Sequence, residues 1–318
     1  MSEIEANRPD LSVVVTVVEG GISLERCLTA LAAQTTSPYS MEVLVPYDHI
    51  TPEVAAFAVH FPEFIFVDLG KILAGIIPKN ALELHKFYDA RRSAALKISQ
   101  GRLVSMLEDR GVPAPDWAAT MVEMHEKRPD CAVIGGAVEN GVNKSLNWAV
   151  FISDFGRYQP PLADSNPEYI SDTNICYKRA SLESVREFWA EQLFDEVHVN
   201  SALRTNGKKL MLSDKPRTLQ VRQTMSMVNM LRERYYWGRN FGQKRAQNLA
   251  RKTRLKLCLG MSILPFYLYA RHFRRQISKG HFKQFIIASP ALFFLLLFWA
   301  IGEFVGYVEG RPAERYKL

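Results

Sequence analysis

The sequence predicts an open, mostly parallel α/β sheet flanked by helices and followed by C-terminal membrane helices, and three observations predict it. Short β-branched runs alternate with helical patterns through the first two-thirds of the chain. A block from 215 to 283 then carries 17 Lys or Arg against a single Glu. After it comes FIIASPALFFLLLFWAIGEFVGYV (285 to 308), whose first 17 residues hold no charge.

LSVVVTVV (11 to 18) has the length and branching of a strand buried on both faces. Gly20 and Gly21 turn the chain into SLERCLTALAAQ, a helical pattern with Ser23 as its expected N-cap. MEVLVPYD (41 to 48) repeats the strand, PEVAAFAVHFP the helix and FIFVDLG (64 to 70) the strand. FYDARRSAALKISQG is a helix stopped by Gly101, and RLVSMLED a fourth strand. APDWAATMVEMHEK reads as a helix and CAVIGGAVENG as a strand. The stretch from Asn140 to Glu168 shows no period and reads either as a cover over the sheet or as a surface excursion. YISDTNICYKRASLESVREFW supplies a strand and a helix, FDEVHVNSALRTNGKKL a helix closed by Gly207, and residues 222 to 252 a long basic helix.

The totals narrow the function. A chain of 318 residues with 47% hydrophobic residues builds a substantial core, so disorder is excluded. Cys27, Cys131, Cys176 and Cys258 stand singly, which points to buried thiols and to neither a zinc site nor a disulfide framework. MSEIEANRPD lacks the pattern of a secretory signal, so a cytoplasmic catalytic face is expected. The net charge of +7 is concentrated in the basic block, an interaction surface. The apolar run beside that block makes anionic lipid the expected polyanion and argues against nucleic acid. Residues 255 to 270 are apolar but short and contain Pro265, which favours an interfacial or re-entrant helix over a span.

Ligands of such sheets bind outside the carboxyl ends of the strands, where Asp48, Glu108 and Asp109 fall. Adjacent carboxylates repel unless a cation joins them, and Mg²⁺ or Mn²⁺ carrying a polyphosphate would do so.

Taken in order, LSVVVTVVEGGISLERCLTALAAQT, EVLVPYD, ARRSAALKISQGRLVSMLEDRGVPAPDW, AVIGGAVENG, SDTNICYKRASLE and FDEVHVNSALRTNGKKL resemble glycosyltransferase family 2 over residues 11 to 240. The resemblance implies a GT-A fold, a nucleotide-sugar donor and transfer with inversion. Together with the charge and hydropathy patterns, it leads the chain to be expected to divide into a catalytic domain (1 to 222), a basic interfacial helical segment (223 to 284) and a transmembrane helix with its tail (285 to 318). Val17 and Glu19 match positions lining the nucleotide pocket, and Asp48 the second acid of a pair contacting the base, with Tyr47 in place of the first. Arg92 matches an arginine of the donor site, with Ser93 where Asn is usual. Glu108 and Asp109 match carboxylates that hold ribose and metal, and Arg110 replaces the commoner third acid. Asn174 matches the acceptor side, and Trp117 reads as a sugar platform there or as a packing anchor. Asp195 and Glu196 stand where the family has its Glu-Asp pair, whose second member looks like the base. Arg234, Trp237 and Arg239, with Tyr236, resemble the element that closes over the diphosphate.

The chemistry suits these types. An attacking hydroxyl must lose a proton, which Glu196 would take, with His198 as the alternative base. The leaving diphosphate gathers negative charge, against which a divalent metal and guanidinium groups act. Arg110 would assist the metal or stand in for it.

Plainer readings remain for the same residues. Arg91 with Arg92 forms an exposed helix pair, Asp195 with Glu196 favours a helix N-terminus, and His198 is structural. The expected protein is a membrane-held glycosyltransferase with a lipid or lipid-linked acceptor. The alternative is a catalytically silent scaffold that binds nucleotide-sugar.

Overall fold

A computed structural model describes residues 8–191, 193–247 and 249–310. The first seven residues of the expected catalytic domain and the last eight of the expected tail lie outside these.

Strands β1 (Leu11–Thr16), β2 (Met41–Tyr47), β3 (Ile65–Asp68) and β4 (Leu103–Glu108) are parallel and lie in the order β3-β2-β1-β4. Beyond β4 the sheet continues through β7 (Asn174–Lys178), β6 (Cys131–Asn140), β8 (Lys209–Gln220) and the short β5 (Gly111–Pro113). β7 is antiparallel to both β4 and β6, β6 and β8 are parallel, and β5 is antiparallel to β8. This is the mixed, mostly parallel sheet of a Rossmann-like α/β fold, as the alternating pattern predicts.

The period of two in β1 builds both layers of core. Val13 and Val15 face α1 (Gly21–Ala32) and α3 (Trp117–Lys127), meeting Leu28, Met121 and Trp117. Val14, pointing the other way, joins Leu96 of α2 (Ala81–Ile98) and Leu203 of α6 (Glu196–Thr205). A short helix, α5 (Arg179–Glu183), closes that layer.

The structure departs from the sequence reading at five places, the first being the long basic helix expected over 222 to 252, which is divided into Met227–Ala246 and Arg251–Gly260. Helix α1 begins at Gly21 with Gly20 as its cap, and the Ser23 hydroxyl donates to Glu19 Oε2 instead of capping. PEVAAFAV forms a 3-10 turn (Pro52–Val59). The aperiodic LNWAVFISDF lies in α4 (Ser145–Phe155), whose apolar residues meet neighbours on more than one side, so no polar stripe marks it. Strand β8 follows Gly207 without an apolar alternation because its inward positions include Pro216, Thr218 and Gln220.

A collar of four helices completes the molecule: α7 (Met227–Ala246), α8 (Arg251–Gly260), α9 (Leu264–Ser278) and α10 (Phe282–Glu309). The apolar segment 255 to 270 is split between α8 and α9, with Pro265 in the first turn of α9, where its missing N–H costs nothing. α10 is the one helix among the described residues long and apolar enough to cross a membrane, at 28 residues with a mean hydropathy of 2.3. One side of it is buried in a core shared with α4 and β6, through Phe285, Leu292 and Leu296. Farther along, Gly302 and Gly306 meet Gly238 and Gly242 of α7 backbone to backbone. A Cβ at any of these four would collide with a main-chain atom of the other helix. The opposite side exposes Ile287, Phe294, Ile301 and Val308, a stripe at every seventh residue.

Candidate active site

The carboxyl ends of β1, β2 and β4 open on one edge, and Asp109 organises it. Its Oδ2 accepts from three consecutive backbone N–H groups, Val18 at 3.0 Å, Glu19 at 2.9 Å and Gly20 at 2.7 Å. Gly20 and Gly21, at φ 67° and 50°, supply the left-handed turn that aims these donors inward. Burial raises the Asp109 carboxyl to about 6 against the pull of those donors, and its Oδ1 is buried with no hydrogen-bond partner. Beside it, Asp48 is sealed under Arg91: Nε donates to Oδ2 at 2.7 Å, Nη1 to the Val17 carbonyl at 2.5 Å and Nη2 to Thr51 Oγ1 at 3.2 Å. Both Arg91 and Asp48 are at most 1% exposed, so Asp48 presents no free carboxylate to a base.

Arg92 is fully buried, which corrects its reading as part of an exposed pair. Its guanidinium lies 2.9 Å from Asp89, 2.5 Å from Asp172 and 3.9 Å from Glu108, with Thr16 Oγ1 3.1 Å from Nε. A single cation thus gathers three acids at the strand ends. Burial raises Asp89 to about 6, with His85 and Arg92 opposing it. Glu108 also rises, from burial and then from the charge of Asp172, while Gln220 Nε2 donates to it at 3.4 Å.

At the start of α6 the two acids divide the work. Asp195 is the N-cap: Oδ1 accepts from the N–H groups of Val197 and His198, and the His198 ring lies 2.9 Å from Oδ2. Burial opposes the charge of Asp195, but the bond and charge of His198 outweigh it and bring the carboxyl to about 2. Asp195 and His198 are thereby occupied as a helix cap. Glu196 turns into the cavity, and burial, then the charges of Asp172 and Asp195, push its carboxyl well above the usual range.

A cavity of about 940 Å³ joins this edge to the collar. Among the predicted residues, Glu108, Arg110, Glu196, Arg234 and Trp237 line it. Arg110 pairs with Glu19 at 2.9 Å, and Arg234 forms two 2.6 Å contacts with Asp154 of α4. The Trp237 ring meets His85 edge-on at 4.9 Å. Val17, Asp48, Arg92, Asp109 and Asp195 stand behind the wall and shape it. Three predicted contacts lie elsewhere. Trp117 and Asn174 are buried and bonded to each other at 2.9 Å, packing groups with no surface for an acceptor. Arg239 holds Glu309 at the far end of α10 through bonds of 2.8 and 2.9 Å, away from any diphosphate.

The predicted metal pair is split by this geometry. Glu108 faces the cavity whereas Asp109 holds the β1–α1 loop, and no three His, Cys, Asp or Glu side chains gather as a metal cluster among the described residues.

Sequence reading passed over Asp172, His85, Asp154 and Arg157. Asp172 lies two residues before Asn174 in SDTN and carried the only available signal, an acid at the mouth of a strand.

No family model matches the chain. A stretch of 47 residues is 34% identical to a glucosyl-dolichyl phosphate glucuronosyltransferase of Haloferax volcanii. The match covers 15% of this chain and 15% of that protein. The chain is thus similar, over a short segment, to a glycosyltransferase.

Proposed function

We propose that the protein is an inverting glycosyltransferase of the family 2 kind, held at the cytoplasmic face of a membrane, that moves a sugar from a nucleotide-sugar to a lipid-linked acceptor. The observation that carries this reading is the continuity of one cavity from Glu196 and Arg110 to Leu264, Leu268, Leu295 and Leu296 of α9 and α10. A polar donor and an apolar acceptor meet in such a space without either crossing the other's territory. The name of the Haloferax protein, which contains a dolichyl phosphate, supports the same class of acceptor. The exposed stripe of α10, with the exposed Leu259 of α8, Phe266 of α9 and Ile263 between them, offers a lipid-facing surface, with the exposed Lys252, Lys256 and Arg274 on the same two helices for anionic headgroups.

In the proposed reaction the acceptor hydroxyl attacks the anomeric carbon, its proton passes to Glu196, and the bond to the nucleoside diphosphate breaks on the opposite face. Arg110, steadied by Glu19, neutralises the departing diphosphate. Asp89, Arg92 and Asp172 are assigned no step of the transfer. They fix the floor on which Glu108 meets the donor, and His85 and Trp237 form the rim.

The test is transfer of labelled sugar by the full chain in vesicles, from a panel of nucleotide-sugars, to lipid-linked and water-soluble acceptors. Transfer to lipid that is lost in Glu196→Gln is expected. Binding of nucleotide-sugar without transfer or hydrolysis, unaffected by Glu196→Gln, would identify a silent scaffold.

A further inference from the structure

The collar side of the cavity contains cations that the proposed reaction does not use. Arg157, which follows α4, and Arg271 of α9 both line the cavity, and neither has a carboxylate within 4 Å among the described residues. The other arginines on the same wall are paired: Arg110 with Glu19, Arg222 with Glu233, Arg234 with Asp154 and Arg245 with Glu303. Arg157 is steadied by aromatic rings, its guanidinium 4.6 Å from the centre of Tyr169 and 5.9 Å from that of Tyr158. Stacking of this kind fixes the plane of the fork and leaves its N–H groups free. His272, within reach of both charges, lines the same cavity at 3% exposed, with Nδ1 buried and no hydrogen-bond partner among the described residues.

These groups are held together from outside the cavity. Gln276 of α9 donates to Gln159 Oε1 at 2.9 Å, Lys279 to the Arg157 carbonyl at 3.3 Å, and the His281 ring lies 2.8 Å from the Pro160 carbonyl. α9 is thus fastened to the segment carrying Arg157. The cost of the arrangement is visible in His272, whose imidazole is driven down to about 3, first by burial and then by Arg275, Arg271, Arg157 and Arg234. Uncompensated guanidinium groups gathered against a neutral, unsatisfied imidazole form a preorganised anion hole.

We propose that Arg157, Arg271 and His272 form a subsite for the phosphate of a lipid headgroup, whose hydrocarbon chain runs along Leu264, Leu268, Leu295 and Leu296. The acceptor role of that lipid rests on the function proposed above, whereas the binding chemistry stands on the side chains. Phosphate is favoured over carboxylate because two forked guanidinium groups offer more N–H donors than a carboxylate can accept. Lipid is favoured over a free anion because the apolar wall begins at the cation cluster itself.

The probe is dodecyl phosphate, titrated into the full chain in neutral-lipid nanodiscs, with dodecanol, inorganic phosphate and a nucleoside diphosphate as separate arms. Dodecyl phosphate is expected to bind at least about tenfold more tightly than dodecanol or inorganic phosphate. The double variant Arg157→Gln/Arg271→Gln is expected to lose about tenfold or more of that affinity and to keep its affinity for nucleoside diphosphate. Arg271→Glu alone, a change at an exposed position, should show the same loss if the double variant melts early. Unchanged dodecyl phosphate affinity in Arg271→Glu overturns the subsite. Selective loss of nucleoside diphosphate moves it to the donor, and equal binding of inorganic phosphate removes the lipid. Sugar transfer failing while these affinities behave as expected sinks the transferase reading alone.

Discussion

Arg92, behind one wall of the cavity, and Arg157, which lines it, keep opposite company. Arg92 is wholly buried among Asp89, Asp172 and Glu108, each supplied by a different element. Arg157 meets tyrosine rings, with no carboxylate within 4 Å among the described residues. A cation enclosed by acids organises structure, because removing it leaves charges buried and unpaired. A cation left without acids is available to an incoming anion. The sheet mouth is therefore neutralised by its own side chains, whereas the collar keeps cations that the proposed lipid phosphate would pair.

The sharpest break of this contrast is at Glu196. Glu196→Gln removes an acid that lines the cavity and serves neither as a helix cap nor in the ion pairs of Arg92, and should lower transfer by about 10³-fold without moving the melting temperature, read by initial rates and calorimetry. Arg92→Met should instead act on the fold, costing about 3–5 kcal/mol by denaturant titration, because Asp89 and Asp172 lose their counter-ion. Gly302→Val drives a side chain into the Tyr235 carbonyl and should cost about 2–3 kcal/mol, releasing α10 from α7, which proteolysis between the two helices would report. Arg110→Ala should reduce transfer about tenfold to a hundredfold, with activity insensitive to EDTA. Strict dependence on Mn²⁺ or Mg²⁺ would instead place a metal on Glu108 and Asp109.

The pH profile refines the first of these. Burial and neighbouring negative charge raise the Glu196 carboxyl, so its proton-accepting form accumulates only above the ordinary carboxylate range. The rising limb of kcat/KM should lie there and vanish in Glu196→Gln. A limb in the ordinary range would assign the base to another group.

Much of the sheet was legible because burial on both faces leaves a plain mark, as in the unbroken β-branched run of β1. The mouth was legible at Glu108, Arg110 and Glu196, where charge interrupts a strand or opens a helix. Arg91 and Arg92 were not, since adjacent arginines look solvent-exposed until acids from β2, β4 and the β7 approach fold over them. β8 was hidden by polar residues at inward positions. The collar was hidden for a different reason: the pairs Gly238/Gly242 and Gly302/Gly306 are visible in the chain, but small-residue spacing does not name the helix it will meet. Arg239, read as a donor contact, is spent on Glu309 through that same helix pairing.

On the proposed function, sugar leaves a nucleotide at the sheet mouth and arrives on a lipid at the collar. The most direct measurement of this transfer is the partition of radiolabel after incubating the full chain with a nucleotide-sugar panel and membrane lipid, followed by organic extraction. Label should appear in the organic phase with wild-type protein and be absent with Glu196→Gln. Label confined to the aqueous phase for every donor, or equal organic label from both proteins, would contradict the account.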